Sequence, residues 1–180
     1  IVVDNNSNDD SINMIKSLFP EVLLIENNIN LGFSSANNLG VKKAKGKFIC
    51  FLNPDTIVSE NLFNKMLEFK ESNDKIGIIG CKMIDGQGKF LPESKRNLPN
   101  LSMVLNKFLG LKNNYHLSIL PEDEIGQADV LCGAIMLMNK KEFEDVGGFD
   151  EKYFMFGEDI DLSYKMKKKG LSNYYLGNLS

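Results

Sequence analysis

The sequence is poor in histidine and arginine, with His116 and Arg96 as the only residues of each type. The formal net charge is −3, so the chain lacks the basic excess that nucleic-acid binding requires, and no nucleic-acid partner is expected. His116 is predicted to face solvent rather than to bind a metal. The positive charge is nearly all lysine, which indicates a bias in base composition rather than a function.

Cysteines are few and apolar runs are short. Cys50, Cys81 and Cys132 lie far apart in apolar stretches and are predicted to be reduced and buried, as in a cytoplasmic protein. The longest apolar run, at 130–138, is well short of the roughly 20 residues that span a bilayer. No signal peptide is visible. The chain opens inside an apolar strand pattern without a methionine, so we interpret it as a piece of a longer protein.

Short apolar runs alternate with helical patterns over the 180 residues. This alternation predicts one α/β domain with a mostly parallel sheet flanked by helices. Residues 92–127 interrupt it with three prolines, several asparagines and an amphipathic segment, Leu101–Leu111. A long excursion of this kind is predicted to be a functional loop.

The stretch Phe48–Thr56 is the most informative one. Five apolar residues predict a strand buried on both faces, and Pro54 ends it. Asp55 would then lie at the carboxyl edge of the sheet, where α/β proteins bind ligands. A carboxylate there can hold Mg²⁺ or Mn²⁺ and through it a phosphate, while Asn53 offers an oxygen to ribose or to metal-bound water. The alternative is an aspartate that caps the following turn.

Acidic residues cluster at 157–161, where a helix is predicted to begin. One explanation is that acids complement the positive end of the helix dipole. The other is a general base that takes a proton from a sugar hydroxyl. Glu158 and Asp159 are adjacent and point about 100° apart, so one is predicted to face the cleft and the other to hold the structure.

Two further stretches are candidate nucleotide contacts. Asp4 and Asn5 follow the first strand and either bind a base or ribose or cap the turn before the next helix. Residues 32–40 are small where a helix begins, which permits either close approach of a ligand or tight helix–sheet packing. Asn38 in this stretch is predicted to contact the nucleotide. The stretch lacks the glycine–lysine fingerprint of phosphate-binding loops.

Five segments, in order and spacing, resemble glycosyltransferase family 2, in particular its rhamnosyltransferase-like bacterial branch. They are VVDNNS (2–7), NNINLGFSSANNLG (27–40), KGKFICFLNPDT (45–56), VLCGAIML (130–137) and VGGFDEKYFMFGEDIDLSYK (146–165). The resemblance implies a GT-A fold, with a nucleotide-sugar-binding half at 1–91 and an acceptor-side half at 92–180. It implies inverting transfer of a sugar from a dTDP- or UDP-sugar to an acceptor hydroxyl.

The resemblance also implies roles for single residues. Asp4 and Asn5 fall where the family contacts the base and ribose. Asp55 falls on the last acid of the family's D-x-D motif, which binds Mg²⁺ or Mn²⁺. Asp159 falls on the aspartate of the Glu-Asp pair that resembles the family's base, with Glu158 beside it.

Two departures from the family pattern have consequences. Asn53 replaces the first acid of D-x-D, a variant usual in this branch, and lower metal affinity is expected. Family members also have a strand and a helix before VVDNNS and run on past residue 180. A 180-residue piece with its first strand missing is therefore expected to have an incomplete donor site and weak or no activity.

The resemblance implies a setting in cell-surface polysaccharide synthesis, with a saccharide or lipid-linked acceptor. The protein is expected to be cytoplasmic and to work at the inner face of the membrane, and peripheral membrane association stays open. Two other hypotheses remain at this point. One is a sugar nucleotidyltransferase, and the other is a non-catalytic signalling module in which Asp55 accepts a phosphoryl group.

Overall fold

The structure, a computed structural model, describes residues 1–99, 103 and 115–180. In this part of the chain, short strands alternate with helices, as the sequence predicts. The strands are β1 Val2–Asp4, β2 Leu24–Glu26, β3 Phe48–Leu52, β4 Ile76–Cys81, β5 Lys95–Arg96, β6 Ile125–Gln127, β7 Val130–Leu131, β8 Ile135–Asn139 and β9 Ser172–Leu176. The α-helices are α1 Ser11–Leu18, α2 Gly32–Lys43, α3 Leu62–Glu71, α4 Lys140–Asp145 and α5 Glu158–Lys168.

The main sheet has five strands in the order β3-β8-β4-β9-β6, and it is mixed rather than mostly parallel. β4 and β9 run parallel, as does the separate pair β1 and β2, whereas β8 is antiparallel to both β3 and β4. The prediction of a mostly parallel sheet assumed that a helical crossover leads into each strand. β8 is entered instead from the long segment after β4, so the crossover rule does not act on it. The α/β class with flanking helices is confirmed.

The continuous apolar run 130–138 forms two strands, β7 and β8, rather than one. β7 pairs with β5 in a small separate sheet, and β8 enters the main sheet. The break lies at residues 132–134, where the backbone N–H of Gly133 donates to the side chain of Asp159 at 3.3 Å. The break therefore lies against the first turn of α5.

β8 contributes alternate side chains to two hydrophobic clusters. Met136 and Met138 belong to the cluster that contains Phe149 and residues of α5, while Ile135 and Leu137 belong to the cluster with residues of α3. Successive side chains of a strand point to opposite faces, so the clusters lie on the two faces of the main sheet. The sheet is thus fixed by packing on both sides.

β3 is buried on one face only, which corrects the prediction of burial on both. Ile49 and Phe51 pack in the core, whereas Leu52 is 41% exposed. Cys50 is also exposed, contrary to its predicted burial, because it shares the outer face with Leu52. Cys81 is buried as predicted.

A groove of about 690 Å³ separates β1 from β3. Among the described strands, β1 pairs only with β2 and β3 only with β8, so both strands present an unpaired edge. Small and apolar residues of α2 line another side. The groove also reaches polar residues after the strand ends, namely Asn5, Asn53 and Thr56.

The described parts of the predicted excursion, 92–127, return to the sheets. β5 pairs with β7, and β6 pairs with β9 at the edge of the main sheet. His116 is exposed, as predicted, and forms a backbone bridge with Arg96. The predicted amphipathic segment Leu101–Leu111 lies outside the described residues apart from Met103. No described helix is long and apolar enough to cross a membrane.

Candidate active site

Residues 53–56 form a tight turn directly after β3. The backbone N–H and the hydroxyl of Thr56 donate to the carbonyl of Asn53 at 3.2 and 2.6 Å. Pro54 suits the second position of such a turn because its φ angle is fixed. Asp55 takes the third position and is exposed. Its carboxylate is therefore accessible to a ligand from solvent.

This turn contacts the break between β7 and β8. The N–H of Asn53 donates to the carbonyl of Ala134 at 2.9 Å, next to the Gly133 N–H that reaches Asp159. A Cβ atom at Gly133 would lie 3.6 Å from Cβ of Asp159 and 3.8 Å from Oε1 of Glu158. The structure thus brings the Asp55 turn and the acidic pair to one short loop.

Asp159 lies in the first turn of α5 and is only 8% exposed. Its Oδ2 atom accepts hydrogen bonds from the guanidinium of Arg96 and from the N–H of Gly133. Its Oδ1 atom accepts from the N–H of Ile160 at 2.8 Å. One oxygen of the carboxylate therefore forms the ion pair with Arg96. Among the described residues, the other oxygen accepts from a single backbone N–H.

Arg96 is the site residue to which the sequence analysis assigned no role. It is 9% exposed and also donates to the hydroxyl of Tyr115 at 2.9 Å and to the carbonyl of Leu131 at 3.3 Å. Burial acts to lower the pKa of Arg96, but the Asp159 carboxylate and the Tyr115 hydroxyl together outweigh it and the pKa is raised. The sequence signal that could have identified Arg96 is that it is the only arginine, since the other residues among the 21 lysines and arginines are all lysine.

Glu158 differs from its neighbour in its contacts. It is 6% exposed, and its Oε2 atom has no hydrogen-bond partner among the residues that the structure describes. Burial raises the pKa of this carboxyl, and the nearby charge of Asp159 raises it further. The pair therefore consists of one carboxylate that is paired with a cation and one that is buried without such a partner.

Replacing Glu158 by glutamine is expected to stabilise the fold near neutral pH. In the folded chain the pKa of Glu158 is raised above its ordinary value of 4.5, so this carboxyl ionises more readily in the unfolded chain. Its ionisation therefore lowers the free energy of unfolding as the pH rises. Thermal unfolding should place Tm of E158Q above that of wild type near neutral pH. The difference should vanish below pH 4.5, where the carboxyl is protonated in both states. A less stable E158Q at neutral pH would contradict this expectation.

Asp4 and Asn5 end β1, and their side chains hold the neighbouring loops. Asp4 is buried and accepts from the N–H of Ser7 at 3.1 Å, and hydrogen bonds from Ser7 lower the pKa of its carboxyl. Asn5 donates to the carbonyl of Gly32 and accepts from Asn27. Asn5 also lines the groove together with Asn53, whereas Asp4 is not among its lining residues.

Asn38 fixes α2 to the loop at residues 149–151. Its carboxamide donates to the carbonyl of Phe149 and to the carboxylate of Glu151, both at 3.0 Å, and accepts from the N–H of Phe149 at 3.1 Å. These contacts occupy its polar atoms within the protein. A role as a nucleotide ligand therefore stays a prediction, beside the structural role that its contacts describe.

Asn38→Ala is expected to lower the free energy of unfolding by about 2 kcal/mol, because it leaves backbone groups of Phe149 without partners. Urea unfolding measures this loss directly. Donor titration of the folded variant separates this structural role from the predicted contact to the nucleotide. Weakened nucleotide binding with unchanged stability would show instead that Asn38 is a ligand contact.

The donor set at Asp55 fits a metal ion that is shared with a diphosphate. In the described ranges, no group of three or more acidic, histidine or cysteine side chains is placed to hold a metal alone. Asp55 could supply one carboxylate, and Asn53 is predicted to offer its amide oxygen to ribose or to a metal-bound water. Mg²⁺ at nucleotides commonly takes one or two carboxylates and completes its shell with phosphate oxygens and water.

The family model of glycosyl transferase family 2 matches residues 1–147, and a model described as the N-terminal domain of galactosyltransferase matches 121–177. The chain is 27% identical to the N-acetylglucosaminyl-diphospho-decaprenol L-rhamnosyltransferase of Mycobacterium tuberculosis, covering 98% of this chain and 63% of that protein. It is 30% identical to the rhamnosyltransferase WbbL of Escherichia coli, covering 81% of this chain and 58% of that one. The chain thus spans less than two thirds of these relatives.

Among solved structures, GalNAc-T7 with UDP, GalNAc and Mn²⁺ superimposes with a TM-score of 0.68. The identity is 16%, and the match covers 98% of this chain and 36% of that one, so the likeness supports the fold alone. That fold is the GT-A glycosyltransferase fold, as predicted. The chain belongs to glycosyltransferase family 2 and to its rhamnosyltransferase-like branch.

Proposed function

We propose that the protein carrying these residues is an inverting glycosyltransferase of cell-surface polysaccharide synthesis. It moves a sugar from a dTDP- or UDP-sugar to a hydroxyl of a saccharide or lipid-linked acceptor. The observation that carries the proposal is the meeting of the exposed Asp55 turn with the buried acidic pair around Gly133. The rhamnosyltransferase relatives and the UDP and Mn²⁺ of GalNAc-T7 support the same class of donor.

The donor side of the site consists of residues at the ends of β1 and β3. Asp55 would hold Mg²⁺ or Mn²⁺, and the bound ion supplies neutralisation of the charge on the departing diphosphate. Asn5 and Asn53 line one groove and are the proposed contacts to the nucleotide. Asp4, whose carboxylate accepts from the N–H of Ser7 in the following turn, is the further proposed contact to the nucleotide.

The acceptor side is built on α5. Asp159 takes the proton of the acceptor hydroxyl while the acceptor oxygen bonds to the anomeric carbon and the bond to the diphosphate breaks. The attack comes from the side opposite the leaving group, which inverts the anomeric configuration. Glu158 is proposed as its structural neighbour, whose buried carboxyl packs near the β7–β8 loop.

We assign the donor half to 1–91 and the acceptor half to 92–180. The two unpaired strand edges at the groove and the share of the relatives that is covered support a donor site completed by further residues. Residues 1–180 alone are then expected to transfer sugar weakly or not at all. We also propose that the protein works at the inner face of the membrane and associates with it peripherally.

A panel of nucleotide sugars tests the function. The full-length protein with Mn²⁺ should hydrolyse or transfer from one dTDP- or UDP-sugar, and a chelator should abolish the reaction. Turnover of no nucleotide sugar would refute the function. Equal turnover by residues 1–180 and by the full-length protein would refute the incomplete donor site.

A further inference from the structure

Arg96 stands out in a chain whose other basic residues are all lysine. Where lysine serves almost everywhere, an arginine marks a position that a point charge does not satisfy. A guanidinium presents several N–H donors in a rigid plane and can hold more than one acceptor at a fixed angle. The surroundings of Arg96 use this property.

The guanidinium of Arg96 links three elements. One terminal nitrogen donates to Oδ2 of Asp159 and to the carbonyl of Leu131, and the other donates to the hydroxyl of Tyr115. The backbone of Arg96 is itself fixed, because β5 pairs with β7 in the register Arg96 to Val130. The donor that reaches Asp159 therefore has little freedom to move.

Burying two opposite charges costs desolvation that their attraction only partly returns. In the same cluster, Nε of Arg96 and Oε2 of Glu158 are buried without hydrogen-bond partners among the described residues. Buried polar groups without partners are rare in native proteins, and a catalytic role is one of the reasons for which they are retained.

We propose that Arg96 is a positioning residue for the candidate base Asp159, an inference that rests on the proposed function. Arg96 and the N–H of Gly133 fix Oδ2, so the carboxylate keeps one orientation. The proton of the acceptor hydroxyl then passes to Oδ1. Because Arg96 lies on β5 and donates to the hydroxyl of Tyr115, the orientation of the base depends on how β5 and Tyr115 hold this side chain.

The test combines crystal structures with kinetics of R96A and R96K in the full-length protein. In R96A the Asp159 side chain should rotate away from its wild-type position, and kcat should fall about 100-fold, as expected for a misplaced catalytic group. The Kd of the donor should change by less than about threefold, since only orientation of the base is lost. R96K should restore part of kcat, because an ammonium keeps the charge without the fork.

Two further measurements separate positioning from stability. Added guanidinium at low, non-denaturing concentration should raise kcat of R96A several-fold and leave wild type unchanged. Lys70→Ala removes another buried ion pair, with Glu142, and should lower Tm without changing kcat of the folded protein. If R96A does not fold, R96K carries the same comparison, with a shifted Asp159 and a lower kcat.

The outcomes decide between the two claims. Asp159 unmoved in the variant structure, or kcat unchanged, would overturn the role of Arg96 even if wild type transfers sugar. A wild type that transfers no sugar would refute the proposed function, and the variant structures would still show whether Arg96 holds Asp159. A lower Tm of R96A, together with a kcat that added guanidinium does not raise, would show that the ion pair is structural only and would also overturn the proposal.

Discussion

Asp159→Asn in the full-length protein is expected to reduce sugar transfer by about 100- to 10,000-fold, the range typical for loss of a general base. Donor binding should stay within about threefold, because Asp159 takes part in the step and not in holding the nucleotide. The amide keeps the shape of the side chain and an oxygen for the Gly133 N–H, so the fold should survive. Steady-state transfer rates and donor titration measure the two effects separately.

Asp161→Asn is the matched control for this variant. Asp161 lies two residues further in the same helix, and its carboxylate pairs with Lys165 along α5 at 2.7 Å. The same chemical change there should leave transfer within a few-fold of wild type. Normal transfer by D159N, or an equal loss in D161N, would show that the base is assigned wrongly.

Asp55→Ala is expected to weaken metal-dependent donor binding by about 100-fold, because a lost metal ligand removes several kcal/mol of charge stabilisation. Addition of a chelator to wild type should produce a similar loss, and it should have little further effect on D55A. Isothermal titration with a nucleotide sugar, with and without Mn²⁺, measures both. The stability of D55A should be unchanged, since Asp55 is exposed.

Two further variants test the assignment of the metal site to Asp55. Glu60→Ala removes another exposed acid of the same connection and should not affect donor binding. Asn53→Asp restores the first acid of the D-x-D pattern and should tighten Mn²⁺ binding in the presence of donor, because a second carboxylate joins the shell. Mn²⁺-dependent binding that D55A leaves intact would place the ion elsewhere.

Sequence pattern was sufficient for the elements that depend on local signals. β3 ends at a proline turn, and α2 and α5 begin where the sequence predicts that helices begin. The direction of β8 was not predictable in this way. It depends on how the long segment after β4 returns to the sheet, and apolar runs carry no sign of strand direction. The break at Gly133 was not predictable for the same reason. The hydrogen bond from its backbone to the distant side chain of Asp159 leaves no signal in the local apolar pattern.

In the candidate site, too, residues with a local sequence signal were predictable and residues defined by distant contacts were not. Asp55, Glu158 and Asp159 are recognisable because a turn or a helix start presents them, and the structure brings that turn and that helix to the Gly133 loop. Arg96 lies 63 residues before its partner Asp159 in sequence, so no local pattern connects them. Asn38 shows what local pattern cannot reveal: its carboxamide bonds to the backbone of Phe149 and to the carboxylate of Glu151, more than 100 residues away, while its predicted contact to the nucleotide stays a prediction.

Diffraction from crystals of the full-length protein with Mn²⁺ and a bound dTDP- or UDP-sugar, recorded near the manganese absorption edge, tests the central claim most directly. The account predicts one anomalous peak bonded to a carboxylate oxygen of Asp55 and to the diphosphate, with the sugar lying between the ion and Asp159. A diphosphate bound without manganese at Asp55, or a sugar whose anomeric carbon faces away from Asp159, would contradict it.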